Sequence, residues 1–177
     1  MVRIMFRRTG NDGDAPPNVY VMHEKIVSIG DDYWIENGAG QRAYKVDGKA
    51  LRVRATLVIE DVEGREVATI QEKALSVRDV TKIERGGQPL ATVTKAMFSP
   101  LRERFDVDCS SGVKYEVKGK ITDHQYEFER DGNQVASVSK KWFRVRDSYG
   151  IEIGPNEDVG LLLAATVALD QMTHDPG

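Results

Sequence analysis

The sequence lacks almost every residue type on which covalent or metal-based stabilisation rests. Of 177 residues only Cys109 is a cysteine, which excludes an intrachain disulfide and any metal site built on several thiolates. A chain with so little cysteine is expected in a reducing compartment, the cytoplasm by default. The three histidines, His23, His124 and His174, are isolated; none has His-x-His or His-Glu-x-x-His spacing, and no resident metal or other cofactor is expected. Long apolar runs are missing as well. The longest, Val159 to Leu169, has 11 residues including Gly160 and Thr166, against the roughly 20 that a membrane-spanning helix needs. Nor is there an excess of base: 25 Lys and Arg stand against 28 Asp and Glu, net −3, which argues against a generic nucleic-acid binder.

An Arg7-Arg8 pair near the start has no apolar segment behind it, because Gly10 to Asn18 is polar; no export signal is expected. Residues 1–18 read as an N-terminal segment and linker, and 19–177 as one domain. With 40% hydrophobic and 30% charged residues, a chain of this length can bury a real core without staples.

What is present in excess is valine. Twenty Val and ten Ile against nine Leu point to strands. Leu51, Val53, Ala55, Leu57 and Ile59 alternate with Arg52, Arg54 and Thr56, and Phe143 and Val145 alternate with Trp142, Arg144 and Arg146, each a period of two. A weak repeat runs through the chain. Gly64-Arg-Glu-Val-Ala-Thr-Ile70 recurs as Gly87-Gln-Pro-Leu-Ala-Thr-Val93 and Gly132-Asn-Gln-Val-Ala-Ser-Val138, and more loosely as Gly40-Gln-Arg-Ala-Tyr-Lys-Val46. Turn signals fall between the runs at Asn37-Gly38, Glu63-Gly64, Gly86-Gly87, Ser111-Gly112 and Asp131-Gly132. This spacing predicts about twelve strands in a meander from Val19 to Ile153, and a sheet that long must curl or close to protect its edges.

The texture then changes. Asn156 is a good N-cap, with Glu157 and Asp158 suited to a first turn, and a helix is predicted over about 157–174. At about 100° per residue, Leu161, Leu162 and Leu163 sweep about 200° of its surface. Val159, Val167 and Leu169 add to the apolar cover, so the helix must be surrounded. Too short to cross a bilayer, it is expected inside the closed sheet, as a plug.

Several segments carry a family resemblance: Glu24-Lys-Ile-Val-Ser-Ile-Gly-Asp-Asp-Tyr-Trp-Ile-Glu-Asn37, Ala43-Tyr-Lys-Val-Asp-Gly-Lys49, Met97-Phe-Ser-Pro-Leu-Arg102 and Asp131-Gly-Asn-Gln-Val-Ala-Ser-Val-Ser-Lys-Lys-Trp142. With Asp147-Ser-Tyr-Gly-Ile151 and the terminal apolar helix, their order over about 19–174 resembles the LURP-one-related family. That family sits in the Tubby C-terminal-like superfamily with the phospholipid scramblases. The resemblance implies a mainly β fold, a closed antiparallel barrel of about twelve strands around a hydrophobic C-terminal helix. The strand count reaches the same architecture independently.

Functional residues are harder to name. Gly38-Ala-Gly40-Gln-Arg-Ala43 with Glu60 mimics a dinucleotide fingerprint, but Asp47-Gly48 interrupts the required helix and a hairpin is expected. Asp123-His124 reads as a loop pair, since no activated nucleophile can be named; a non-enzymatic protein is the expectation. Cys109, close to Asp106 and Asp108, is expected to be inert. Asp147, Glu152, Glu157 and Asp158 resemble the acidic segment linked to calcium in scramblases. However, Val145 replaces an acid of that pattern and Arg146 adds a positive charge, so a strand followed by helix N-terminal acids is the simpler reading.

The functional candidate is basic. Lys140, Trp142, Arg144 and Arg146 fall on one face of a strand, with Lys118 and Lys120 on the preceding hairpin. Cations around an exterior tryptophan suit an anionic phospholipid headgroup or an acidic protein partner, and the resemblance to phosphoinositide-binding Tubby domains implies the same. Two readings remain open: a binding domain, peripheral to a membrane, or a carrier of a small hydrophobic ligand at the barrel mouth.

Overall fold

The structure, a computed structural model, describes residues 18–23, 32–48, 56–72, 80–99, 102–140 and 148–174. Twelve strands precede one helix: β1 (Asn18–His23), β2 (Tyr33–Asn37), β3 (Arg42–Gly48), β4 (Thr56–Asp61), β5 (Glu66–Glu72), β6 (Val80–Arg85), β7 (Gln88–Ser99), β8 (Arg102–Cys109), β9 (Lys114–Lys120), β10 (Gln125–Arg130), β11 (Asn133–Ser139), β12 (Ser148–Ile153) and α1 (Val159–His174). Each strand pairs with its neighbour in sequence, and β1 closes on β12 from Asn18 opposite Ile153 to His23 opposite Ser148. Closure leaves no edge strand exposed.

Alternation supplies the wall. On β9 Tyr115 and Val117 are buried and Lys114 and Lys118 exposed; on β10 Tyr126 and Phe128 are buried and Gln125 and Glu127 exposed. The hairpins turn as their sequences require. Asn37 Oδ1 accepts from the amides of Ala39 and Gln41, and Asp61 Oδ1 from those of Glu63 and Arg65, at 2.9 to 3.0 Å. Such side-chain acceptors are why Asn and Asp recur at tight turns.

The internal repeat has a structural meaning that sequence did not disclose. In each copy one residue is inserted as a β-bulge: Ala43, Val67, Leu90 and Val135 have no opposite partner in the registers of β2–β3, β4–β5, β6–β7 and β10–β11. The alanine that follows in three copies, Ala68, Ala91 or Ala136, is buried. A bulge frees a backbone carbonyl from the ladder, and here each such carbonyl is used. Val67 O accepts from Arg85 Nε, Leu90 O from the Ser110 amide and Val135 O from the Gly154 amide, at 2.8 to 2.9 Å.

Helix α1 fills the barrel. Its 16 residues span about 24 Å at 1.5 Å each, close to the length of a strand of six to eight residues. From Leu161 to Leu169 no residue is more than 4% exposed. Burial of Leu161, Leu162, Leu163, Val167 and Leu169 stabilises the fold by about 1.5–3 kcal/mol each as an upper value. Val159, at the entry, is partly buried against the same core.

Two expectations for the helix change. The cap is Asp158, whose Oδ1 accepts from the Leu161 amide at 3.0 Å and whose carbonyl accepts from that of Leu162. Asn156 instead takes a left-handed turn, φ 67°, which brings the chain round from β12 into the barrel. The helix is also not wholly apolar inside: Thr166 and Asp170 are buried. The strand segment 51–55 lies outside the described residues.

Candidate functional site

The six basic-face residues do not form one patch among the described residues. Lys118, on the outer face of β9, is held between Glu116 and Glu129 at 2.8 and 2.7 Å. The carboxylate of Glu116, then that of Glu129, pushes its ammonium pKa up; the charge is answered within the sheet. Lys120 has a looser partner, Asp123 at 3.9 Å. Lys140 follows β11 directly. Because Lys120 and Ser139 both pair with Gln125, Lys120 and Lys140 leave the sheet at the same end, about two strand spacings or 10 Å apart. Trp142, Arg144 and Arg146 lie outside the described residues. A stacked cation and tryptophan do occur on the outer wall elsewhere: the Arg42 guanidinium sits 4.7 Å above the Trp34 ring on β2–β3.

The acidic residues are occupied by arginines. Glu157, whose side chain is only 3% exposed, binds Arg130 at 2.9 Å and accepts from the Tyr115 hydroxyl at 3.0 Å. Asp158 binds Arg85 through both oxygens at 2.8 Å. The Arg85 guanidinium holds the Asp158 carboxyl below the usual carboxylate range. Glu152 stands on β12, where burial raises its pKa, and Asp147 lies outside the described residues. Among the described residues no three His, Cys, Asp or Glu side chains are grouped to hold a metal ion. The two acids that would lead a calcium site instead clamp the entrance of α1.

The dinucleotide-like stretch is the β2–β3 hairpin, with the Gly40 amide donating to Asn37 O at 2.9 Å. Cys109 is half-buried at the end of β8, and burial, then Asp108 and Asp158, push its thiol pKa up. A raised thiol pKa leaves little thiolate to react.

One constellation was not anticipated. His124, expected as part of an exposed loop pair, is 1% exposed, while Asp123 beside it is exposed. The His124 ring stacks on Tyr149 with centroids 4.1 Å apart, and its Nε2 lies 3.1 Å from Asp170 Oδ1. The Tyr149 hydroxyl donates to the other oxygen of Asp170. Tyr126 lies beside Thr166, and burial followed by the charge of Asp170 raises the pKa of Tyr33, Tyr126 and Tyr149 well above the phenol range. Three tyrosines, an imidazole and a carboxylate thus converge at the inner end of the plug. A signal existed in the sequence: Asp170 directly follows Leu169 in a helix that must be surrounded, and Thr166 lies one turn before it on the same face.

Comparison with known proteins accords with this architecture. The Bacillus subtilis protein YxjI is 29% identical over 155 residues, covering 87% of this chain and 93% of that protein. Arabidopsis thaliana protein LURP-one-related 15 is 25% identical over 170 residues, covering 85% and 78%. An X-ray structure of an Arabidopsis thaliana protein superposes with a TM-score of 0.67 at 21% identity, over 89% of this chain and 92% of the other, a likeness of fold. The LURP-one-related family profile matches residues 18–170, from the first residue of the barrel to the buried aspartate, and the chain therefore belongs to the LURP-one-related family.

Proposed function

We propose that this protein is a non-enzymatic binding domain that docks on anionic phospholipid headgroups through the outer surface at the barrel end bearing Lys120 and Lys140. The observation that carries the reading is the filled interior. With Leu161 to Leu169 at most 4% exposed, recognition falls to the outside and the ends of the barrel. At the Lys120 end, buried Ile121 and His124 occupy part of the mouth, which favours surface docking over a carrier at that mouth. Lys118 drops out of the docking set, since two carboxylates hold it. Lys120 and Lys140 remain, and Trp142, Arg144 and Arg146 follow Lys140 within six residues of sequence. No described helix is long and apolar enough to cross a membrane, so the association would be peripheral, at a cytoplasmic membrane face.

Vesicle flotation tests this. Phosphatidylcholine vesicles carrying a phosphoinositide are expected to float the protein at low salt, and neutral vesicles are not. Each lysine near an anionic surface contributes about 1 kcal/mol, so Lys120→Ala with Lys140→Ala should weaken binding up to about thirtyfold. Absence of flotation at low salt, or flotation unchanged in the double variant, overturns the reading. Retention of an acidic protein without flotation would turn it towards a protein partner, and a bound hydrophobic small molecule in native mass spectrometry towards a carrier.

A further inference from the structure

The buried cluster at the inner end of α1 calls for a role other than setting the depth of the plug. That depth is already fixed at the opposite end, where Arg85 grips Asp158, Arg130 and Tyr115 grip Glu157, and Gly160 packs against Val67. Burying a carboxylate beside an imidazole is costly unless both are partnered, so a second, charged anchor is not the cheapest way to hold an apolar helix.

The part of the wall that delivers His124 is the turn 121–124 between β9 and β10. It is a separate mechanical unit. Ile121 is fully buried, Thr122 and Asp123 are exposed, and His124 turns inward at φ 49°. The turn is held by the amides of Asp123 and His124, donating to Lys120 O and Ile121 O at 3.2 and 2.9 Å, and by Glu103 accepting from the Ile121 amide. Only the imidazole ties it to α1 by charge among the described residues, through the 3.1 Å approach to Asp170.

We propose that His124 and Asp170 form a proton-sensitive latch that closes the 121–124 turn over the inner end of the plug helix. With the imidazole protonated, a buried cation faces a buried anion and the turn stays shut. With the imidazole neutral, Asp170 keeps the Tyr149 hydroxyl but loses its countercharge, and opening of the turn admits water to the carboxylate. The described groups facing the pair are Asp170 and Thr166 on α1, Tyr33 on β2, Tyr126 on β10 and Tyr149 on β12. The phenols, held protonated by burial and by the charge of Asp170, keep one charge state across the physiological range. The imidazole is the group whose charge changes there.

Amide hydrogen exchange on the full chain tests the latch. Protection of the Asp123 and His124 amides, corrected for intrinsic rates, is expected to fall at least about tenfold between about pH 5 and about pH 8. The midpoint should coincide with the His124 imidazole titration followed by NMR in the same sample. His124→Gln should flatten the profile. Protection that tracks intrinsic rates alone, a midpoint separate from the imidazole titration, or the same fall in His124→Gln overturns the proposal. The first two readouts need no variant, so they decide the matter even where His124→Gln does not fold.

Discussion

Arg85 and Asp158 stand 73 positions apart and are joined by two parallel hydrogen bonds of 2.8 Å, Nη1 to Oδ2 and Nη2 to Oδ1. The same Asp158 caps α1 and the same Arg85 binds the Val67 bulge carbonyl. One pair of side chains thus ties wall, bulge and plug together.

Asp158→Ala removes the cap and strands Arg85. Both side chains are more than a third exposed, so solvent screens the pair. A loss of about 1–2 kcal/mol, mostly from the cap, is expected in urea denaturation.

Arg85 also sets an acid dependence. It holds the Asp158 carboxyl below its ordinary value, so the stability this pair provides is present above the unfolded carboxyl's pKa of about 3.9. It is lost as pH falls through the lowered folded value. In stability measured against pH, Arg85→Gln should be weaker than the parent at neutral pH. The two curves should converge in strong acid; a constant gap down to the lowest pH would contradict this.

Gly160 gives a steric prediction. A Cβ there would lie 2.4 Å from Val67 Cγ1 and 3.1 Å from Arg85 Nη2, and β-branched Val67 has little rotamer freedom to yield. Gly160→Ala should cost about 1–3 kcal/mol despite the better helix propensity of alanine. Val67→Ala in the same chain should restore part of the loss, as read from a double-mutant cycle.

Gly119 allows no such rescue. Its φ is 146°, and a Cβ would meet Gln125 O at 2.4 Å and Tyr126 Cα at 2.6 Å, backbone atoms that cannot rotate away. Gly119→Ala should cost about 3 kcal/mol and disturb the 121–124 turn first. Loss of the His124–Tyr149 ring contact in NMR should accompany the drop in melting temperature.

Removal of 157–177 takes out the plug. The remaining wall would expose the apolar sides of Phe105, Val117, Phe128 and Ile151, all fully buried in the intact protein. Insoluble or molten protein is expected; a soluble truncate with a cooperative thermal transition would show that the barrel stands without its core.

Much of this architecture was legible because its signals are local. The alternation of buried and exposed residues on β9 and β10 follows from the two-residue period of a strand. The Asn37 and Asp61 turns follow from side chains that bond their own backbone. Leu161-Leu162-Leu163 leave a helix no dry side to hide, so enclosure could be argued before any coordinate was seen.

The site was less legible. The sequence shows that Lys118 is outward-facing on β9 but not that Glu129 of the next strand answers it, since cross-strand partners depend on register. Glu157 and Asp158 look like free carboxylates in one dimension. Only closure of the barrel brings Arg130 and Arg85 to them.

By itself, then, the sequence determines what is set within a few residues: strands, turns, the repeat and an apolar helix that must be enclosed. Tertiary structure decides which charges meet. His124 and Asp170 come together because a left-handed turn aims one inward and the barrel holds the other at its inner end. Long-range electrostatics depends on a geometry that no local pattern encodes.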